Sequence, residues 1–150
     1  MSCFLDSNLP LRWADRRSAL RPTVVAAIRA LRGRGEATVF SGQVVVEFWA
    51  VATRPLDVNG LGLTPQRTRQ LVDRLEVLGT MLPDPPDLFP RWLDLVTTHQ
   101  VSGKKVHDAR LVAFMLGHGI GRILTFNVAD FARYPGIVAI DPRDFVEVTP

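Results

Sequence analysis

Val24, Ile28 and Leu31 stand at i, i+4 and i+7 between Pro22 and Gly33. That spacing gathers apolar side chains on one helical face, and Pro at the start and Gly at the end mark the helix limits. On either side the rhythm changes. Cys3-Phe-Leu-Asp6 and Ala37-Thr-Val-Phe40 are short apolar runs of strand length. Ser41 is an N-cap candidate for the apolar stretch around Val44 to Ala52, which stops at Arg54-Pro55. Pro55 to Leu63 reads as a loop, and Thr64-Pro65 opens an amphipathic helix with Leu71, Leu75 and Leu78 at helical spacing. Thr80-Met-Leu82 suggests a third strand, and Pro83 to Asp87 a turn. Leu88 to His99, with Pro90 in its first turn, and Val106 to Leu116 are predicted helices, while Arg122 to Thr125 and Ile137 to Ile140 are the last predicted strands. Gly117-His-Gly119-Ile-Gly121 is a helix stop ahead of a strand, which is the wrong order for a phosphate loop.

Strand alternating with helix along the whole chain predicts a parallel sheet covered on both faces. In such sheets ligands sit beyond the carboxyl ends of the strands, where the strand order reverses. The length of 150 residues suits one domain, residues 1–150. A single cysteine, Cys3, excludes a disulfide-stapled scaffold. Asp6 interrupts the N-terminus before a signal-peptide apolar region can form, and no apolar run approaches about 18 residues, so a cytoplasmic protein without a membrane span is expected.

Net charge is only +3, but Arg16, Arg17, Arg21, Arg29, Arg32 and Arg34 all fall in the acid-free interval between Asp15 and Glu36. The block suits phosphate contacts, with a solvated helix face as its alternative. The stretch VVVEFWAVA poses the opposite problem, because Glu47 is the one ionisable residue between Ala37 and Thr53. A carboxylate removed from water needs a partner. A buried arginine is one candidate for it, and a metal ion is another. Asp6 ends the first predicted strand, Asn127 and Asp130 follow the strand Arg122 to Thr125, and Asp108 lies near the start of the preceding helix. All can face the crevice. Each also has an ordinary role: Asp6 as a turn cap, Asp108 as a helix cap or dipole partner, Asn127 and Asp130 as an N-cap and N3 acid. Four carboxylates within about 5 Å of one another repel by roughly 3 kcal/mol per pair at an effective dielectric near 20. A hard divalent ion relieves that repulsion. Oxygen donors without a Cys/His pair at ligand spacing select Mg²⁺ or Mn²⁺ over structural zinc, and one or two such ions serve phosphodiester hydrolysis.

The segments FLDSN, SGQVVVEFWAVATRP and VSGKKVHDARLVAFMLGHGIGRILTFNVADFARYPGI resemble the PIN-domain ribonucleases, in particular the VapC-like toxins of bacterial type II toxin–antitoxin pairs. The resemblance runs from about Phe4 to Asp141 and is least diagnostic between Thr64 and His99. It implies a three-layer α/β/α sandwich with a central parallel sheet, a Mg²⁺- or Mn²⁺-dependent endoribonuclease, and inhibition by a small cognate antitoxin. It carries the family acids onto Asp6, Glu47, Asp108 and Asp130, and the polar positions beside the metal onto Ser7 and Asn127. Whether Asn127 or Asp130 meets the metal directly stays open. Arg16, Arg17, Lys104 and Lys105 are the candidates for holding RNA, and a homodimer is the expected assembly. Trp13, Trp49 and Trp92 read as packing residues, with Trp13 the one considered for base stacking. His107 and His118 read as ordinary surface or core histidines, with phosphate binding as the alternative. Competing classes are a PIN-like RNA- or protein-binding module without turnover, a solitary nuclease without antitoxin, and a phosphoacceptor receiver domain. The last expects paired acids after the first strand, whereas Asp6 is followed by Ser7 and Asn8.

Overall fold

The short apolar runs become strands of a parallel sheet whose central members are buried on both faces, while the two edge strands stay partly exposed. A computed structural model describes residues 1–145. Among these, β1 (Ser2–Leu5), β2 (Ala37–Ser41), β3 (Thr80–Leu82), β4 (Arg122–Leu124) and β5 (Val138–Ile140) form one sheet in the order β3-β2-β1-β4-β5. Every pairing is parallel, with Phe4 opposite Val39 on one side and Ile123 on the other. Cys3, Phe4, Ile123 and Leu124 are completely buried at the centre of this sheet.

The helices are α1 (Asn8–Ala14), α2 (Arg21–Gly33), α3 (Gly42–Ala52), α4 (Pro65–Asp73), α5 (Leu88–Thr98) and α6 (Lys105–Gly117). Helix α1 packs on α2 and α3, α3 on α4, and α5 on α6. Right-handed crossovers put the first group on one face of the sheet and the α5–α6 pair on the other, giving the three-layer α/β/α sandwich. Caps follow the sequence: the Ser41 hydroxyl accepts from the Val44 N–H at 3.3 Å, and the Thr64 hydroxyl accepts from the Arg67 N–H at 3.1 Å. Helix α6 ends ahead of Gly119, whose φ of 69° is the left-handed conformation that glycine adopts without strain.

Two elements depart from expectation. Helix α4 stops at Asp73, and Leu75 lies in a separate 3₁₀ turn, Leu75–Val77. Leu71, Leu75 and Leu78 are nonetheless all buried, so the apolar spacing survives a change of helix type. Helix α1 was not expected. It has only seven residues, and Pro10 sits third in it, where its missing N–H is one that a helix start leaves unbonded in any case.

The strand order reverses at the β1–β4 pair, since successive strands add outward from β1 toward β3 and outward from β4 toward β5. Asp6 extends this junction by one residue, its N–H donating to the Leu124 carbonyl at 3.1 Å. The crevice expected from the alternating pattern therefore opens beside Asp6.

Candidate active site

Asp6 is the most constrained acid of the crevice, with only 5% of its surface exposed. Its Oδ1 accepts from the Ser7 N–H at 2.7 Å, and its Oδ2 accepts from the Thr125 hydroxyl at 2.7 Å and the Asn8 amide at 3.5 Å. Burial raises its pKa, the bonds from Thr125 and Ser7 oppose the rise, and the Glu47 and Asp108 carboxylates add to it, leaving Asp6 pushed up to about 6. Asp108, in the first turn of α6, is also pushed up to about 6. Burial is again the main cause; Asp130 raises it further, Lys105 opposes, and Glu47 adds to the rise.

Asp130 sits in the 3₁₀ turn Val128–Phe131 after β4, where its Oδ1 lies 2.6 Å from the Lys105 ammonium. That bond is the chief reason why the Lys105 pKa is raised. Glu47 is half-buried on α3, and its Oε1 accepts from the Gln43 amide at 2.9 Å. Among the described residues it has no ion-pair partner, so the buried arginine is not what accompanies it. The four acids thus come from four elements to one crevice, near enough to act on one another's charge, with Lys105 offsetting part of that repulsion at Asp108. No three of the described Asp, Glu, His and Cys side chains are near enough together to hold a metal ion as they stand. The donor chemistry still fits a hard divalent cation: the groups are all carboxylates, and Asp6 and Asp108 are destabilised as anions by burial and by neighbouring carboxylates, Glu47 acting on both.

Thr125 is the hub that sequence reasoning missed. Its fully buried hydroxyl donates to Asp6, accepts from the Asn127 N–H at 3.0 Å and accepts from the Asn8 amide at 3.2 Å. Asn8 in turn accepts from the Phe126 N–H at 3.4 Å, so β1 and β4 are cross-linked just beyond their ends. Ser7 and Asn127, the two expected polar positions, enter this network through their backbone N–H groups. Gln43 and Arg110 were missed as well. The signal for Gln43 was its position one helical turn before Glu47.

The basic residues divide. Arg16 and Arg17 line a cavity of about 430 Å³ with Leu56, Leu61, Leu63 and Arg67, and Arg17 also pairs with Asp15 at 3.5 Å. Arg32 reaches Thr38 at the start of β2, and Arg34 lies over the Phe145 ring at 5.1 Å. These last two are at the amino edge of the sheet, opposite the acids, because α2 ends where β2 begins. The Arg16 to Arg34 block is therefore not one track leading from the crevice. Trp13 is 5% exposed beneath the Arg74 guanidinium, which corrects its candidacy for base stacking. His118 bonds to the Pro83 carbonyl at 2.7 Å and packs on Phe114, a structural role.

Residues 3–137 match the PIN domain family model, and the chain belongs to that family. The search of curated proteins found no match. Among solved structures, the fold is similar to VapBC2 from Rickettsia felis bound to a DNA fragment from its promoter, at 12% identity over 94% of this chain and 98% of that one, TM-score 0.72. It is similar to DNA-bound VapBC from Salmonella typhimurium, at 18% identity over 95% and 99%, TM-score 0.67. It also resembles VapC20 from Mycobacterium tuberculosis, described as a toxin cleaving the sarcin-ricin loop, at 17% identity over 81% and 86%, TM-score 0.59. At these identities the likeness speaks for the fold. Among the described residues, no helix is long and apolar enough to cross a membrane.

Proposed function

We propose that the chain, as a single nuclease domain over residues 1–150, is a metal-dependent endoribonuclease and the toxin of a toxin–antitoxin pair. The observation that carries this reading is that Asp6, Glu47, Asp108 and Asp130 lie near the point where the strand order reverses, close enough for Glu47 and Asp108 to raise the Asp6 pKa and for Asp130 and Glu47 to raise that of Asp108. Asp6, Glu47 and Asp108, together with Asp130, would hold Mg²⁺ or Mn²⁺. An ion held there would supply Lewis acidity and would ease deprotonation of a water, making a nucleophile for a phosphodiester available near neutral pH.

The chain's own groups prepare that chemistry. Thr125 and the Ser7 N–H hold the Asp6 carboxylate in one orientation, so it is a rigid anchor, while Glu47 and Asp108 ride on separate helices. Lys105, tethered by Asp130, keeps an ammonium at the rim, where it can steady a phosphate together with Lys104. The cavity lined by Leu56, Leu61, Leu63, Arg16 and Arg17 suits an apolar segment flanked by acids, as a small antitoxin would offer. That the similar VapBC structures are toxin–antitoxin assemblies supports such a partner, and VapC20's description supports RNA as substrate. A homodimer and a cytoplasmic location complete the proposal.

One observation favours a second reading, an RNA- or protein-binding module without turnover: Asp130 already has a cation, Lys105, at 2.6 Å. The two separate in one assay. Purified protein is given single-stranded and structured RNA with Mn²⁺, with Mg²⁺ and with excess chelator. The nuclease cuts only with metal and loses activity by at least ~100-fold in Asp6→Asn. Undiminished cutting in chelator contradicts the proposal, and RNA binding without cutting under all conditions selects the module.

A further inference from the structure

We infer that Gln43 is a positioning residue: it sets the spacing between Glu47 on α3 and Asp108 on α6, and with it the affinity of the crevice for a divalent cation. The inference rests on the metal-dependent reading above and deepens it.

Gln43 lies one turn before Glu47, on the same helix face. Its amide uses both ends. The Nε2 group donates to Glu47 Oε1 at 2.9 Å and to the His107 carbonyl at 2.9 Å. Its Oε1 accepts from Arg110 Nη1 at 2.7 Å. The orientation of the amide is fixed by chemistry, since flipping it would turn its oxygen toward two acceptors and its NH₂ toward a donor-only guanidinium. Arg110 is fixed in turn by Asp84, 3.3 Å from its other terminal nitrogen. One chain of bonds therefore runs from the turn before α5, through Arg110 and Gln43, to Glu47.

The His107 carbonyl gives this chain its meaning. It belongs to the peptide that joins His107 to Asp108, in the first turn of α6. A single amide thus grips the side chain of one acid and the backbone beside another. The chain has Gln43 between Arg110 and Glu47, where a direct ion pair would also hold the carboxylate still. A guanidinium against Glu47 would neutralise it and repel an incoming divalent ion. The interposed amide passes on orientation without bringing the positive charge into contact.

Gln43→Met tests this, because methionine keeps the length and helix preference but makes none of the three bonds. Mn²⁺ affinity is measured by calorimetry for the wild type, Gln43→Met, Arg110→Ala, the double variant and Glu47→Gln, with melting temperatures in chelator as a check on folding. The expected result is Mn²⁺ binding weakened about 10–100-fold in Gln43→Met, with the chelator melting temperature close to wild type. Arg110→Ala should weaken binding in the wild type and add little in the Gln43→Met background, the non-additivity of members of one chain of contacts. Equal Mn²⁺ affinity in Gln43→Met and wild type, while Glu47→Gln loses binding, overturns the role of Gln43 and leaves the nuclease reading intact. Absence of Mn²⁺ binding in the wild type removes both.

Discussion

Asp6 shows how one residue can be stabilised in position and destabilised in charge at once. Its hydrogen bonds from Thr125 and Ser7 fix the carboxylate, yet burial and two neighbouring acids lift its pKa from an ordinary 3.8 to about 6. A group whose folded pKa is raised contributes stability that is fully present below the unfolded value and lost as pH rises through the folded one. In chelator, the stability advantage of Asp6→Asn over wild type should therefore grow between about pH 4 and pH 6 and level off above, reaching on the order of 3 kcal/mol. Urea melts of both proteins across that range check it; a difference independent of pH would mean that Asp6 is not held as an uncompensated buried acid. Thr125→Val removes the hydroxyl hub while keeping the shape, and it should destabilise the fold by about 1–3 kcal/mol through the polar groups it leaves unbonded. A thermal or urea melt measures this directly, and an unchanged stability would assign the hub no energetic role. Asp6 and Glu47 were legible in the sequence because an acid that ends an apolar strand, or interrupts an apolar helix, is conspicuous. Thr125 and Gln43 were not, because a threonine or glutamine suits many surroundings and only the folded contacts reveal what its hydroxyl or amide meets.

Elements were legible where burial imposed a period. Strands β1, β2 and β4 and helices α2, α3, α5 and α6 stood out because each presents an apolar run or stripe to the core. Helix α1 did not, being seven residues long with Pro10 inside, and it is held by the burial of Leu9, Pro10 and Trp13 rather than by local preference. The break between Asp73 and Leu75 was invisible for a related reason: a 3₁₀ turn and an α-helix place residues three or four apart on nearly the same face, so Leu71, Leu75 and Leu78 fit either. Strand β1 offers a test of its own. Cys3 is completely buried, and desolvation, reinforced by the Glu36 carboxylate, pushes its thiol up to about 12. At pH 8 the folded protein should resist a disulfide reagent for hours and react within minutes once urea unfolds it, since the thiolate is the reacting form and the central strand opens only with the whole sheet. Rapid labelling of the native protein would mean that β1 is not locked between β2 and β4.

At the scale of the molecule, the sheet separates two edges of different composition. The amino edge carries Arg32, Arg34 and an ion pair in which the partly exposed Arg122 guanidinium lies 3.1 Å from the buried Glu36 carboxylate, while the carboxyl edge carries the acids. The parallel sandwich was foreseeable from alternation of strand and helix; the division of the arginines between edges was not, because a sequence interval does not say where a helix points. If Arg16 and Arg17 touch phosphate, RNA affinity in chelator should fall with salt, and Arg16→Ala with Arg17→Ala should flatten the log–log slope by about one to two. An unchanged slope gives those arginines to a protein partner at the Leu56–Leu61–Leu63 cavity.

The central claim, that the carboxyl edge is a cation site, meets its most direct test in paired melts of wild type and Glu47→Gln. In chelator the variant loses one negative charge from a mutually repelling set and should be equal to wild type or more stable by about 1–3 kcal/mol. In excess Mn²⁺ the order should reverse, because the wild type gains RT ln(1 + [L]/Kd) from an ion that the variant binds poorly. A loss of roughly 3–5 kcal/mol in Glu47→Gln that is the same with and without metal would show Glu47 to be half of a buried ion pair, contradicting the account.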